Sequence, residues 1–332
     1  MSDPITRPIA PVSGPTLWYG EEQSRKNDWI IQLDESQIAE LENSADRIRA
    51  SGLKLDEATQ SDFDLPALAP ILEAARREIG QGHGFVLLRG LPVMDYSVEV
   101  LETIFWGIGT YLGTGVSQSI KGDRLGHVIN LGATDRYYTA GGPIEFHMDP
   151  VDIVGLLCLR SALEGGASRI ASSMAIHNVI LEERPDLLKI LYSGFYCSLR
   201  GHGLEKVTEQ RIPVYAPGQN GLESYFLPIT IRQAEEQGYP LNKVEREAIA
   251  YLQSVASRPE IYLDMDFRPG DIQFLNNRKI FHARTDYRDA EDLDSRRLLL
   301  RLWLMMPDWP ERPAVMMFHG NIDRAGGGVH SS

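Results

Sequence analysis

Cysteine is scarce in this chain, and its scarcity limits how the fold can be held together. Only Cys158 and Cys197 occur among 332 residues, so a fold built on a disulfide framework is excluded. Cys158 lies in an apolar run, residues 151–159, which favours a buried free thiol. We therefore expect a protein of a reducing compartment, the cytoplasm.

Long hydrophobic runs and an excess of positive charge are also absent. No apolar stretch approaches the ~20 residues of a membrane-spanning helix. Residues 1–15 are polar and proline-rich, without the apolar core of a signal peptide. The 33 basic residues against 46 acidic ones leave a net charge of −13, which argues against nucleic acid or an anionic membrane as a partner. A small molecule is the expected partner. Association of the chain into a homo-oligomer is also compatible with the sequence.

The remaining composition, 43% hydrophobic and 24% charged residues, is that of an ordinary globular protein. Periodicity predicts helices over residues 68–79, 101–112, 174–191 and 241–255, and strands over residues 85–89, 151–159, 261–267, 272–275, 280–284 and 297–304. Because no repeat or linker interrupts these elements, we predict a single domain over residues 1–332, with residues 1–15 and 325–332 flexible. The predicted fold class is α+β, a double-sheet jelly roll wrapped by helices.

His147 and Asp149 lie two residues apart in the segment that runs from Phe146 to Pro150. In an extended backbone, residues i and i+2 point to the same side, so the imidazole and the carboxylate are expected to face one point. His282, 135 residues further on, lies on a predicted strand and adds a second imidazole. Two histidines and one carboxylate on one face of a metal are the usual ligands of non-haem Fe(II) oxygenases. The pair alone is a weak signal, and the same residue types also suit Zn(II).

A second pattern occupies the last predicted strand. Alternation places Arg297, Leu299, Arg301 and Trp303 on one face. Two arginines on an apolar face are costly unless each meets an anion, although structural ion pairs or contact with solvent would serve as well. If two uncharged imidazoles and one aspartate hold Fe(II), the site has a charge of +1. A dianion that chelates the metal through two atoms brings this charge to −1. The far carboxylate of that dianion therefore needs its own cation, and the planar fork of arginine suits it.

Together these patterns resemble the taurine dioxygenase-like (TauD/TfdA) family of Fe(II)/2-oxoglutarate-dependent oxygenases, over about residues 84–307. The resemblance also rests on residues 84–90 (GFVLLRG), Gln118, and residues 165–168 (GGAS), 269–277 (PGDIQFLNN) and 282–284 (HAR). It implies a double-stranded β-helix core, with the two histidines and the aspartate on iron and 2-oxoglutarate chelating the metal. It further implies that Arg297 and Ser168 hold the far carboxylate of 2-oxoglutarate. Arg301 would lie near the inner carboxylate or near the substrate.

Two positions depart from the family pattern. Ser168 stands where threonine is common, and 15 residues separate His282 from Arg297, more than is usual, because of an acidic loop over residues 286–295. Strand parity with Arg301 selects Arg297 over Arg296 as the anchor. Tyr137 and Tyr138, followed by two glycines, are predicted to form a loop over the site that contributes to specificity.

The resemblance implies an enzyme that uses Fe(II), 2-oxoglutarate and O2 to oxidise an unactivated C–H bond of a small anionic or zwitterionic metabolite. Hydroxylation is the expected outcome, although desaturation or ring closure would use the same residues. Two alternatives come from other classes of protein. One is a catalytically silent protein that binds a keto acid or another metabolite, and the other is a zinc hydrolase, for which Glu145 is the glutamate nearest to the metal pair.

Overall fold

Two β-sheets form the centre of the computed structural model, which describes residues 8–119, 121–132 and 141–316. The strands in chain order are β1 (Ile30–Gln32), β2 (Phe85–Arg89), β3 (Thr114–Gly115), β4 (Leu125–Ile129), β5 (Ile144–His147), β6 (Ile153–Arg160), β7 (Glu164–Gly165), β8 (Ser168–Ser172), β9 (Tyr215–Gly218), β10 (Gly221–Ser224), β11 (Tyr262–Met265), β12 (Ile272–Asn276), β13 (Ile280–Arg284), β14 (Tyr287–Arg288) and β15 (Leu298–Met305). The α-helices are α1 (Gly20–Gln23), α2 (Glu35–Ser51), α3 (Ala69–Gln81), α4 (Val98–Leu112), α5 (Ser173–Glu183), α6 (Pro185–Ser193), α7 (Pro228–Glu236) and α8 (Lys243–Ala256).

The larger sheet has seven strands and is antiparallel except for one pair. β1 lies parallel to β2, and the order continues through β12, β6 and β15, with β3 and β4 both paired to β15. The smaller sheet is antiparallel, with four strands in the order β11, β8, β13, β5. Two further pairs, β9 with β10 and β7 with β14, lie outside these sheets.

Helices cover the outer face of each sheet. α2, α3 and α4 pack on the larger sheet, where Leu72 and Phe105 belong to the same apolar cluster as Phe274. α5, α6 and α8 pack on the smaller sheet, where Leu252 shares a cluster with Phe281. The protein therefore combines helices with mostly antiparallel sheets, as the α+β prediction requires.

The inner faces of the two sheets pack against each other. Val154 and Leu275 of the larger sheet share a buried cluster with Ile170 and Ile280 of the smaller sheet. Side chains alternate along a strand, so the residue two positions after Ile280 also points inward. That residue is His282, and the fold thus directs it into the space between the sheets.

Two of the motifs that carry the family resemblance meet in the larger sheet. Arg89, at the end of β2, donates to both carboxylate oxygens of the buried Asp271 at 2.9 and 2.7 Å. Asp271 follows Gly270, whose φ is +89° and where a Cβ would lie 2.1 Å from the carbonyl oxygen of Leu91. Glycine is therefore required at this turn. In this protein, residues 84–90 and 269–271 stabilise the sheet.

Most predicted elements have counterparts in the structure. One prediction is wrong: residues 174–191 form two helices, because Pro185 lacks the N–H that a continuous helix needs and begins α6 instead. α2 was not predicted. Cys158 and Cys197 are both buried and free. No helix within the described ranges is long and apolar enough to cross a bilayer. Of the termini predicted to be flexible, residues 1–7 and 325–332 lie outside the described residues.

Candidate metal and cosubstrate site

His147, Asp149 and His282 come together between the two sheets. His147 and His282 lie directly opposite each other on β5 and β13, so their rings share one face of the smaller sheet, with centroids 4.1 Å apart. The Nε2 atom of His147 is 3.9 Å from Asp149 Oδ1, and that of His282 is 3.7 Å from Asp149 Oδ2. All three side chains are buried, and their potential ligand atoms lie within 4.8 Å of one another.

The electrostatics of these groups suit a divalent cation. Burial lowers the pKa of His147 to about 3, and the neighbouring His282 acts in the same direction, so the imidazole is neutral at physiological pH. Nδ1 of His147 is 2.9 Å from the carbonyl oxygen of Glu145, which favours a proton on Nδ1 and a free lone pair on Nε2. Burial alone would raise the pKa of Asp149, but the nearby His282 and Arg301 outweigh it, and the pKa lies below its ordinary value.

Asn277 holds the backbone of the segment that carries Asp149. Its Oδ1 accepts from the Asp149 N–H at 3.2 Å, and its Nδ2 donates to the carbonyl oxygens of Asp149 and Val151. Asn277 lies in the turn between β12 and β13 and is fully buried. It therefore fixes Asp149, which follows the end of β5, against the strand that carries His282. Sequence reasoning placed Asn277 in a motif but missed this role.

Trp303 reaches the metal group from the larger sheet. Its indole Nε1–H donates to Asp149 Oδ2 at 3.2 Å, and the residue is buried. The ring faces the guanidinium of Arg301, whose Cζ lies 5.0 Å from the ring centroid. The alternation of residues along the strand predicted the face on which Trp303 lies, but the sequence contained no signal for the hydrogen bond to the carboxylate.

Arg297 lines the same pocket as the metal group. The side chain is buried, and no carboxylate of the described residues lies within ion-pair distance of its guanidinium. Its Nη2 makes one long hydrogen bond, 3.4 Å, to the carbonyl oxygen of Gly166, and Cζ lies 5.6 Å from the ring of Tyr287. Burial lowers the pKa of Arg297 to about 10, with Arg284 acting in the same direction, so the side chain is a buried cation at neutral pH.

Arg296, by contrast, faces away from the pocket. Its guanidinium donates to the carbonyl oxygens of Asn130, Ala290 and Glu291 at 2.7 to 3.2 Å. The structure thus places Arg297, and not its neighbour, on the inner face, as strand parity predicted, although the sequence between His282 and β15 is long.

Ser168 and Arg301 also contribute to the polar lining of the pocket. Ser168, the first residue of β8, donates from Oγ to Oε1 of the buried Gln273 at 3.0 Å. Nε of Arg301 donates to Oε1 of Gln118 at 2.7 Å, and Nε2 of Gln118 donates back to the carbonyl oxygen of Arg301 at 2.8 Å. Gln118 therefore fixes the direction of the Arg301 side chain.

The predicted loop over the site is described only in part. Tyr137 and Tyr138 lie outside the described residues. The carbonyl oxygen of Gly142, at the start of the described chain beyond them, accepts from Nε and Nη2 of Arg284 at 3.1 and 2.6 Å. Arg284 also lines the pocket.

The chain resembles known proteins both in sequence and in fold. The family model for taurine catabolism dioxygenase TauD, TfdA family, matches residues 49–303. The chain belongs to this family. It is an enzyme of the Fe(II)/2-oxoglutarate-dependent oxygenase class, and the His147, Asp149 and His282 group is a candidate iron site.

Two curated TauD/TfdA relatives cover most of the chain. The FR-33289 synthase of Streptomyces rubellomurinus is 30% identical over 320 residues, which are 93% of this chain and 94% of the relative. The taurine hydroxylase-like protein SAT17 of Stachybotrys chartarum is 29% identical over 318 residues, 86% of this chain and 77% of the relative.

Solved structures share the fold at lower identity. An asparagine oxygenase in complex with Fe(II), (2S,3S)-3-hydroxyasparagine and succinate has a TM-score of 0.69 and 18% identity, over 83% of this chain and 93% of that chain. The non-haem iron oxygenase OrfP with Fe, succinate and (3S)-hydroxy-L-Arg has a TM-score of 0.62 and 14% identity, over 83% and 94% of the two chains. At these identities the likeness concerns the fold alone.

Proposed function

We propose that this protein hydroxylates an unactivated C–H bond of a small anionic or zwitterionic metabolite. The observation that carries the proposal is one pocket that combines two imidazoles and a carboxylate with a buried arginine that lacks a carboxylate partner among the described residues. In the overall reaction, substrate, 2-oxoglutarate and O2 give hydroxylated substrate, succinate and CO2. Bound Fe(II) supplies the activation of O2 that couples the decarboxylation to the C–H oxidation.

His147, Asp149 and His282 would hold the metal. The donor set fits Fe(II), because two imidazoles and one carboxylate on one side leave positions for a chelating keto acid and O2. The hydrogen bond from His147 to the backbone and the hydrogen bond from Trp303 to Asp149 orient these side chains, as outer contacts commonly do for metal ligands.

Arg297 and Ser168 would hold the far carboxylate of 2-oxoglutarate. A buried guanidinium is stabilised when a carboxylate meets it with bidentate geometry, and the pocket joins Arg297 to the metal group. The Ser168 hydroxyl can turn from Gln273 toward the anion, since a hydroxyl rotates to suit its partners. The two sheets and their helices would correspond to the double-stranded β-helix of the family, in one catalytic domain.

Arg301 is the proposed partner of an anionic group on the substrate. It shares the inward face with Arg297 but lies four residues along the strand, roughly 13 Å at 3.3 Å per residue, which brings it to the metal side of the pocket. The competing role is contact with the inner carboxylate of 2-oxoglutarate. The hydroxylated amino acids bound in asparagine oxygenase and OrfP support hydroxylation and a zwitterionic substrate.

The test is a screen for succinate formation with Fe(II), 2-oxoglutarate and ascorbate. The library would contain amino acids, sulfonates, aryloxy acids and betaines, with product mass as the second readout. We expect substrate-dependent succinate and a mass increase of one oxygen. No substrate-dependent succinate, with 2-oxoglutarate still bound, would favour the silent metabolite-binding alternative. A zinc hydrolase lacks support, because Glu145, its nearest candidate base, forms an ion pair with Arg232.

A further inference from the structure

Trp303 is not a candidate metal ligand, but its indole donates a hydrogen bond to one of the candidate ligands, Asp149. The residue lies on β15 of the larger sheet, whereas Asp149 follows β5 of the smaller sheet. Its indole N–H points at Asp149 Oδ2 across a distance of 3.2 Å inside the buried space between the sheets. The contact therefore joins the two sheets at the carboxylate of the candidate iron site.

The two oxygens of Asp149 have different surroundings. Oδ1 is 3.9 Å from Nε2 of His147, while Oδ2 is 3.7 Å from Nε2 of His282 and accepts from the indole of Trp303. An indole N–H only donates, so it cannot compete as a ligand. A hydrogen bond to an ionised oxygen is stronger than one to a neutral group, and it opposes rotation of the carboxylate.

We propose that Trp303 is a positioning residue that keeps Asp149 a one-oxygen metal ligand. Without the N–H, Oδ2 becomes available to the metal, and a carboxylate bound through both oxygens fills a coordination position that 2-oxoglutarate or O2 requires. The face of the same indole contacts Arg301, so Trp303 also connects the carboxylate with the arginine proposed to bind the substrate. The inference rests on the proposed metal site.

Trp303→Phe tests the proposal because it removes the N–H and keeps an aromatic ring. Trp18→Phe is a matched control: Trp18 lies in the same buried cluster, and its indole N–H also donates to an oxygen, the carbonyl of His83, at 2.9 Å. Both variants lose one hydrogen bond and similar volume, but only Trp303 contacts a candidate ligand. A second variant carries benzothienylalanine at position 303, which keeps the bicyclic shape without the N–H.

The readout is titration of the metal-free proteins with Co(II), followed by the visible spectrum of the complex, which reports coordination number. We expect Co(II) affinity to fall by about tenfold to a hundredfold in both position-303 variants, as for other outer contacts of metal ligands. We also expect an altered spectrum, and 2-oxoglutarate should perturb that spectrum less than in the wild type. Trp18→Phe should match the wild type in affinity and spectrum, with a melting temperature close to that of Trp303→Phe.

Wild-type affinity and spectrum in the benzothienylalanine variant would overturn the role of the N–H. Failure of the underlying site gives a different pattern. If the wild type binds no Co(II), or if His282→Ala binds it unchanged, the metal site itself is wrong. If His282→Ala loses the metal and both position-303 variants keep the affinity and spectrum of the wild type, only the inference about Trp303 fails.

Discussion

Arg297→Met tests two consequences of burying a charged side chain. One is the cost to the stability of the fold, and the other is the affinity for 2-oxoglutarate. At neutral pH the guanidinium is charged in both the folded and the unfolded chain. Burial lowers its pKa to about 10 in the folded protein, roughly 2 to 3 units below the ordinary range. At about 1.4 kcal/mol per unit, the folded state bears a cost on the order of 3 kcal/mol. The cost is present throughout the neutral range and is relieved only as the pH rises through about 10.

The contacts that Arg297 does make offset part of this cost. The hydrogen bond to Gly166 is long, 3.4 Å, and the contact with the Tyr287 ring, at 5.6 Å, contributes about 0.5–2 kcal/mol. Replacement by methionine, which fills a similar space without charge, should therefore leave the protein without 2-oxoglutarate as stable as the wild type, or more stable by ~1–2 kcal/mol. If Arg297 served only to stabilise the fold, its replacement by methionine would instead lower the stability of the protein.

Arg297→Met should weaken the binding of 2-oxoglutarate, although it should not destabilise the fold. Leaving its far carboxylate buried without a cation should cost ~2–5 kcal/mol, an affinity loss between about 30-fold and several thousandfold. Calorimetric titration of the Mn(II)-loaded protein measures this loss, and thermal unfolding with and without 2-oxoglutarate measures the stabilisation that the ligand provides.

Arg296→Met is the matched control, since the neighbouring guanidinium contacts backbone carbonyls away from the pocket. It should bind 2-oxoglutarate like the wild type. Wild-type affinity for 2-oxoglutarate in Arg297→Met, or a larger loss of that affinity in Arg296→Met, would show that Arg297 does not anchor 2-oxoglutarate.

Three further substitutions test the rest of the site. His282→Ala should weaken Co(II) binding by ~10-fold or more, measured by titration, and full metal loading with normal activity would contradict the ligand assignment. Arg301→Ala should raise the KM for the substrate and leave 2-oxoglutarate binding to the substrate-free enzyme nearly unchanged; a large loss of 2-oxoglutarate affinity would instead place Arg301 at the keto acid. Gly166→Ala adds a Cβ 3.1 Å from Nε of Arg297 and should raise the KM for 2-oxoglutarate by ~10-fold, taking ~1.4 kcal/mol for the displaced guanidinium. Gly132→Ala, at a similar φ and with no atom of the described residues within 4 Å of the added Cβ, should leave that KM unchanged.

The sequence predicted those parts of the site that depend on periodicity. Side chains alternate along a strand, so the inward direction of Arg297 and Arg301 followed from the two-residue repeat. The facing positions of His147 and His282 required the register of β5 and β13, which no local pattern contains. The hydrogen bonds of Asn277 and Trp303 join segments more than 100 residues apart, and their existence depends on how the strands pack.

The secondary-structure elements, like the site residues, were predicted where a local sequence pattern determines them. β2, β12, β13 and β15 were predicted because short apolar runs end at glycine, proline or polar residues. α2 was missed because its buried positions, among them Leu41, Ala45 and Ile48, are separated by many polar residues and give a weak apolar stripe. Its start at Asp34, where the side chains of Asp34 and Gln37 cap the helix, was a readable signal.

The contrast between two buried arginines distinguishes a charge that supports the fold from one kept for a ligand. Nε and Nη2 of Arg278 lie 2.8 and 2.7 Å from Oδ1 of Asp152, and both residues are buried. Arg278 also lies 3.7 Å from Glu223, and without it Arg312, 3.9 Å from Asp152, is the arginine that remains beside these buried carboxylates. Breaking a buried pair costs ~3–5 kcal/mol, so Arg278→Met should lower the melting temperature sharply. Arg297 has no such carboxylate among the described residues, and Arg297→Met should not lower it. If Arg278→Met lowers the melting temperature and Arg297→Met does not, the counter-charge of Arg297 comes from a molecule that the protein binds. Equal destabilisation would assign both arginines to the fold, and the cosubstrate anchor would have to be sought elsewhere in the pocket.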